Sequence, residues 1–444
     1  MSVGGVLVIA TGGRLLGFAR EVLISSQYGT GPAAEAFFTV QQVPTIVSSF
    51  VFGPFMIAYV PYYAGLRLSG IEGEAFRRTY RTAVRIGLLI TILMLIVGSG
   101  SVRLELGPSI GEERLIGTFL QILALSILPL IVSGLATVVL HARGHHVLAM
   151  AIAALAPAGM LASLLFLTAV PIVGHSAALP WSLVAGSFLS AAVGTVSLRR
   201  MLPADRPSPA VTAPFPGAAK FHRQLVASSI ENVGFSVNQA LTVFFAAGLG
   251  GGAVAINAYA FRIAAFAFSL VSPLNISVQT WMTRDRRHRE GRRVMGVFGA
   301  MAGFVMAIAV ALIIFAGPLV SLVYERGSFT ERDAANVTAL LTPYAVYGAI
   351  TALNQLMARY LFVLHEGARY SRVMVSAYVA GNFLKAALVA PAGLEGLIWA
   401  SVLAEGTALA YFTLYLVRTA LAGAQAEVTD NRVAEGAEAH DPHR

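Results

Sequence analysis

A chain of 444 residues with 57% hydrophobic and only 12% charged residues is too apolar for a water-soluble globular protein. Its formal net charge of +9 would suit nucleic acid if it lined one face of a soluble domain, but the basic residues fall in short loops between apolar runs, the pattern that orients membrane segments. Cysteine is absent, which excludes disulfides, thiol catalysis and thiolate metal sites.

The expected fold is therefore an all-α polytopic membrane protein. A hydrocarbon core ~30 Å thick takes about 20 helical residues to cross. Twelve runs qualify, at about 3–28, 33–64, 82–102, 115–140, 147–172, 177–198, 224–248, 253–283, 294–323, 334–364, 371–391 and 396–420. The first run has no basic n-region and no cleavage site, so it reads as a retained helix. Every second loop is basic: Arg67, Arg77, Arg78, Arg81 and Arg85 follow the second span, Arg199, Arg200, Arg206, Lys220 and Arg223 the sixth, and six arginines from Arg284 to Arg293 the eighth. The positive-inside rule then places both termini in the cytoplasm.

The proline-rich stretch 199–223 is the longest polar interruption and divides the chain into two six-helix lobes, 1–200 and 224–421, joined by a linker at 201–223. An offset of 222 residues superposes Gly29 on Gly251, Phe37 on Tyr259 and Tyr59 on Trp281, which indicates a duplication. Six spans per half give both halves one orientation, related by an axis along the membrane normal, with a central cavity between them. Residues 422–444 are polar and mildly acidic and read as a disordered cytoplasmic tail.

Enzyme chemistry finds little support. The aspartates are Asp205, Asp285, Asp333, Asp430 and Asp441, none within a span or in an Asp-x-Asp pair that would hold a metal or act as a base. His141, Arg143, His145 and His146 form HARGHH in a cytoplasmic loop without a nearby carboxylate, so a solvated polar loop is the expectation, with no metal. The GLGGG at 248–252 has neither a following lysine nor a preceding strand and reads as a turn.

The charges inside the spans carry more information. Arg14, Arg20, Glu21 and Glu35 fall in the first half; Glu231, Arg262, Arg359, Lys385 and Glu405 fall in the second. A charge at membrane depth must face a watery cavity or a partner. Arg14 lies about 15 Å into the first span and Arg262 about 12 Å into the eighth, too deep to reach the surface easily. One reading pairs them, Arg14 with Glu35 for instance, as packing locks. The other makes them a cationic cavity for a phosphate- or carboxylate-bearing substrate, with Arg359 and Lys385 as further cavity charges. Pro44, Pro54 and Pro61 in the second span, with Pro129, Pro157, Pro273 and Pro343 elsewhere, kink helices as alternating access requires. A coupling ion, Na⁺ or H⁺, has a candidate site in Glu231 and Asn238 of the seventh span opposite Asn382 of the eleventh; ordinary interhelical hydrogen bonding is the competing reading.

The opening GRLLGFAREVLIS, followed by GTGPAAEAFF and VP…AYVP, resembles the start of the MurJ/MviN lipid II flippases of the multidrug/oligosaccharidyl-lipid/polysaccharide exporter superfamily. LHARGHHVLAMAIAALAPAGM, AYAFRI around Arg262, VYERGSFTERDA and GNFLKAALVAPAGLEGLIWASVLAE extend the resemblance over essentially residues 1–420. The resemblance implies two lobes around a cavity that moves a polyprenyl-diphosphate-linked saccharide, lipid II first among them, across the bacterial cytoplasmic membrane for peptidoglycan synthesis. It implies binding roles for Arg14, Arg20, Glu35 and Arg262, no cofactor, and other cell-wall synthesis proteins as partners. Where the family carries a lysine and an arginine pair in its second span, this chain has Gln42 and the Ser48–Ser49 region, and it has twelve spans where the family commonly has fourteen. Another polyprenyl-linked saccharide, a cation-coupled drug exporter of the same superfamily, and a non-transporting scaffold remain alternatives.

Overall fold

The computed structural model describes residues 3–47, 72–104, 110–170, 172–201, 218–271, 274–275, 278, 281–282, 291–364 and 366–438. The later part of the predicted second span, with Ser48, Ser49, Pro54 and Pro61, most of the central linker, Pro273 and Arg284 to Arg289 of the basic loop lie outside these residues.

The described residues are helical, with no strand among them. In chain order the helices are α1 (Val3–Tyr28), α2 (Pro32–Val40), α3 (Glu72–Leu104), α4 (Ile110–Ala142), α5 (His146–Ala169), α6 (Ala178–Met201), α7 (Ala218–Ala247), α8 (Ala253–Phe268), α9 (Gly291–Ile314), α10 (Ala316–Tyr324), α11 (Glu331–Val363) and α12 (Gly367–Glu438). Among the described residues, six stretches are long and apolar enough to cross a bilayer: Tyr80–Gly100, Arg114–Ala142, His146–Ala169, His175–Met201, Arg293–Ile314 and Gly367–Ala420. The last contains two predicted spans. Helical bonding continues through them, but the chain turns at Gly393 (φ 55°, ψ −140°), just after Pro391. The molecule is a multi-pass membrane protein.

Two differences from the sequence expectation have simple causes. The predicted ninth span is divided into α9 and α10 at Phe315. Helical backbone also runs to Glu438, into the stretch expected to be disordered. Alanine and glutamate, both strong helix formers, supply much of residues 421–438, and polarity alone does not oppose a solvated helix.

The chain divides into two compact units, Met1–Arg262 with Gly317–Ala339, and Ile263–Ala316 with Leu340–Arg444. In the first, α4 forms the spine. Its Ile127, Ile131 and Leu135 are almost fully buried at helical spacing and pack with Val47, Tyr80, Ala83, Ile90 and Met94. α3 covers α4 with one face and leaves Leu89, Ile92, Leu93 and Ile96 exposed, as a lipid-facing helix does. α5 and α6 approach until a methyl added at Gly159 would lie 2.9 Å from the Gly186 Cα, and one at Gly186 would lie 2.6 Å from the Met160 backbone nitrogen. Lipid offers no hydrophobic drive for helix association, so such contact between small residues holds these helices. Gly13 brings α1 onto Ala154 of α5 in the same way, which sets the position of the charges that follow it.

In the second unit α9 packs on α12, and the two arms of α12 touch through Gly381 against Ala404 and a stacked Tyr370–Phe412 pair at 5.3 Å.

Candidate functional site

The last two turns of α1 carry Arg20 and Glu21. Glu21 is 2% exposed, and a lone carboxylate at that depth would be prohibitive. Two guanidiniums resolve it. Arg20 Nε donates to Glu21 Oε1 at 2.8 Å, its Nη2 makes a short contact to the same oxygen, and Arg262 of α8 donates Nη1 to it as well. Arg262 Nη2 donates to Gln41 Oε1 at 2.9 Å, and its guanidinium lies 4.9 Å from the centre of the Phe38 ring. Arg20 Nη1 rests 3.5 Å from the Met160 sulfur.

The centre is asymmetric. One oxygen of Glu21 receives both arginines, while Oε2 is buried and has no hydrogen-bond donor. The arginine side chains keep 15% and 22% of their surface, against 3% for Glu21. Two positive groups on one negative group leave an excess of one positive charge, presented on the more accessible members. Forked N–H donors held this way suit the oxygens of phosphate or carboxylate.

α2 and the first turn of α8 are tied together beside this centre. α8 begins after Gly250, Gly251 and Gly252, all at positive φ, so the GLGGG stretch is the tight turn its composition indicates. Glycine offers no side-chain oxygen to cap the helix. Glu35 caps it instead, its two carboxylate oxygens accepting from the backbone N–H of Val254 and Ala255 at 3.1 Å each. Around this cap, Tyr259 OH donates to the Gly29 carbonyl at 2.9 Å, Ser328 N to the Ser26 carbonyl at 2.8 Å, and Thr30 Oγ1 to Asp333 Oδ1 at 2.7 Å. Phe38, Tyr259, Tyr324 and Phe329 fill the space beneath with ring contacts of 5.0–5.6 Å.

Burial pushes the Asp333 carboxyl up, but hydrogen bonds from Thr30 and from the Thr330 N–H and hydroxyl, with the Arg332 charge, hold it below the usual carboxylate range. A depressed folded-state value means its contribution is complete above the unfolded value near 4 and is lost as pH falls through the folded one. Wild-type thermal stability in detergent is therefore expected to fall below about pH 4, and Asp333→Asn to flatten that part of the profile. An unchanged profile in Asp333→Asn would remove Asp333 from this role.

The other sequence-selected residues lie as follows. Arg14 is half-buried on α1, two turns before Arg20. Glu231 is half-buried and Asn238 buried on α7, in the first unit; Asn382 is half-buried on α12, in the second. Arg359 is half-buried on α11, and Lys385 is fully buried. Of the four leading candidates, Arg20 and Arg262 meet on Glu21, and Glu35 is engaged with α8. Glu21 and Gln41 are the members that sequence reasoning left out of the site. A buried acid directly after Arg20 and a glutamine at the end of α2 were the available signals. In the HARGHH stretch, His141 Nδ1 and His146 Nδ1 lie 3.1 Å apart, and Arg143 bonds the Met201 carbonyl that ends α6.

The family described as Lipid II flippase MurJ matches residues 24–434. A curated relative from Rhizobium tropici, named "Probable lipid II flippase MurJ", is 25% identical over 365 residues, which cover 78% of this chain and 66% of the relative, just under two thirds of its length. Among solved structures, "Lipid II flippase MurJ, inward closed conformation" superposes with a TM-score of 0.78 at 16% identity, covering 94% of this chain and 90% of that one. An inward-facing multidrug resistance MATE family transporter of the MOP superfamily follows with a TM-score of 0.75 at 14% identity, covering 96% and 99%. At these identities the structural likeness speaks for the fold, two lobes of helices.

Proposed function

The chain belongs to the lipid II flippase MurJ family, and on that premise we propose that it moves a polyprenyl-diphosphate-linked saccharide, lipid II in the first place, across the bacterial cytoplasmic membrane. It transports its substrate and does not convert it. Both termini lie in the cytoplasm in this reading, because the basic loops alternate with the apolar spans.

The observation that carries the proposal is the Arg20–Glu21–Arg262 centre. Glu21 limits the repulsion between the two arginines. A diphosphate brings several anionic oxygens and competes for the same donors, so the head group takes over hydrogen bonds that the carboxylate provides beforehand. The bare Glu21 Oε2 adds a buried acceptor that a sugar or peptide N–H or O–H can satisfy. A cation exporter would draw on carboxylates left open to its cargo, whereas Glu35 and Glu405 are both occupied by donors of the protein itself.

With the amino terminus inside, the end of α1 at Tyr28 faces outward, and the contacts of Glu35, Tyr259, Ser328 and Asp333 close the outer side. Outward release requires them to part. Glu35→Gln exchanges a charged cap for a neutral one and is expected to weaken this closure by about 1 kcal/mol, the scale of an N-cap. Increased labelling of a cysteine introduced at Ser328 would report it; unchanged labelling would show that the cap does not hold the closure.

Complementation of a strain depleted of its lipid II flippase tests the function, with accumulation of the precursor as readout. Rescue of growth with clearance of the precursor is expected. Failure by a protein that is present and folded in the membrane would overturn the substrate assignment.

A further inference from the structure

Between the two arms of α12 runs a groove of about 520 Å³ that the Arg20–Glu21–Arg262 centre does not use. Arg369 and Arg372 stand at the end where the helix begins, and the small side chains of Ala377, Ala380 and Ala408 leave the slot open beyond them. Arg372, Ser376 and Ala380 recur at helical spacing on the first arm, as Thr407 and Tyr411 do on the second, so each wall is one helix face. Each face continues past the groove into a bulky apolar side chain, Phe383 at 75% exposure on the first arm and Leu403 at 55% on the second. In a membrane protein a face of that kind meets hydrocarbon, so the groove opens to lipid.

The two arginines differ in what they already hold. Arg369 Nη1 lies 2.9 Å from Glu366 Oε2, and its guanidinium lies 4.6 Å from the centre of the Tyr415 ring. Tyr415 OH donates to the other oxygen of Glu366 at 2.9 Å. Arg369 is thereby neutralised and held in place. Arg372 donates Nε to the Ala368 carbonyl at 3.3 Å and has no ion-pair partner among the described residues. Of these three charges one positive is left over, on the exposed Arg372.

In the orientation proposed above, the connection between α11 and α12 is cytoplasmic, which puts both arginines at the inner surface of the membrane. From Arg372 to Ala380 the helix rises about 12 Å, close to the ~15 Å of hydrocarbon in one leaflet. The groove therefore offers a guanidinium at head-group depth and an apolar slot about one leaflet long. An amphiphile with an anionic phosphate and an acyl chain matches both ends. A soluble anion would leave the slot empty, and a zwitterionic lipid would bring a second cation towards Arg372.

We propose that this groove binds an anionic phospholipid of the cytoplasmic leaflet, with its phosphate on Arg372 and one acyl chain between the arms. The lipid touches both arms and holds their cytoplasmic ends at a fixed separation. The site takes its leaflet from the orientation proposed above and needs nothing from the transport reading.

The test uses delipidated full-length protein in detergent, to which phosphatidylglycerol or phosphatidylcholine with the same acyl chains is added. Native mass spectrometry is expected to show phosphatidylglycerol bound about tenfold more tightly, the difference one charge-assisted hydrogen bond makes. Phosphatidylglycerol should also raise the melting temperature at concentrations where phosphatidylcholine does not. Inorganic phosphate should leave it unchanged. Arg372→Gln is expected to lose the preference between the lipids, Arg372→Lys to keep part of it, and Ala380→Trp to weaken both lipids by blocking the slot. Arg372 and Ala380 are exposed, so these changes spare the packing of the arms, and two sites at opposite ends of the groove keep the test open if one variant unfolds. Equal affinity for the two lipids in wild type would overturn the proposal, as would a preference that survives both Arg372→Gln and Ala380→Trp. A shift with inorganic phosphate alone would reduce the site to an anion site without a lipid. Release of bound phosphatidylglycerol by equimolar lipid II would give the groove to the transported lipid instead.

Discussion

Arg262→Ala is expected to abolish movement of the lipid-linked head group while the protein stays folded, and Arg20→Ala to do the same. The fold survives because either change leaves Glu21 with one arginine, so the buried carboxylate keeps a counter-charge. Function fails because charge-assisted hydrogen bonds contribute roughly 1.5–3 kcal/mol each, so removing one weakens affinity by about 10- to 100-fold. Lysine at either position keeps the charge but not the fork, so Arg262→Lys should retain only part of the activity. Growth of the depleted strain and lipid II binding to purified protein measure both effects. Full rescue by both alanine variants would leave the arginines a packing role and the transport proposal without its main support.

Glu21→Ala should be the more damaging change for stability, although it removes only one charge. It leaves two guanidiniums close together in a partly buried site with no carboxylate between them. Breaking a buried ion pair by removing one partner costs about 3–5 kcal/mol, and the partial exposure of the arginines places this site toward the lower end. The informative comparison is the double variant Glu21→Ala/Arg262→Ala, in which the repulsion disappears. Its melting temperature in detergent should lie above that of Glu21→Ala alone, a coupling that a double-mutant cycle reads directly. A Glu21→Ala protein as stable as wild type would mean that the carboxylate does not neutralise the arginines.

Much of the architecture is legible in the residues. Long apolar runs become helices, the loop charges alternate, and GLGGG turns as its composition demands. The depths expected for Arg14 and Arg262 follow from counting along a helix. What hides the site is the nature of the partners. Adjacent residues on a helix point about 100° apart, so an Arg20–Glu21 contact is not what helical geometry suggests, and only the long arginine side chain permits it. The role of Glu35 is hidden differently. Its partners are backbone N–H groups of Val254 and Ala255, and every residue except proline carries that donor, so no side-chain pattern marks them. The available hint was negative: α8 starts after glycine, with no serine, threonine, asparagine or aspartate to cap it. Lys385 and Glu405 read as separate charges twenty residues apart until the turn at Gly393 folds one arm of α12 back on the other.

The cap on α8 also bears on biosynthesis. Glu35 and Val254 are separated by 219 positions in the chain. At roughly 5–20 residues per second, a ribosome finishes α2 some 10–45 s before it makes the amides that Glu35 will hold. During that interval the carboxylate has no cap to form, and avoiding a buried charge requires contact with water or a bound proton. The junction of α2 with α8 is thus assembled late, after the intervening helices have been inserted. A substitution at Glu35 would then act on the yield of correctly assembled protein as well as on the cycle of the finished one, and pulse-chase accumulation in the membrane would separate the two.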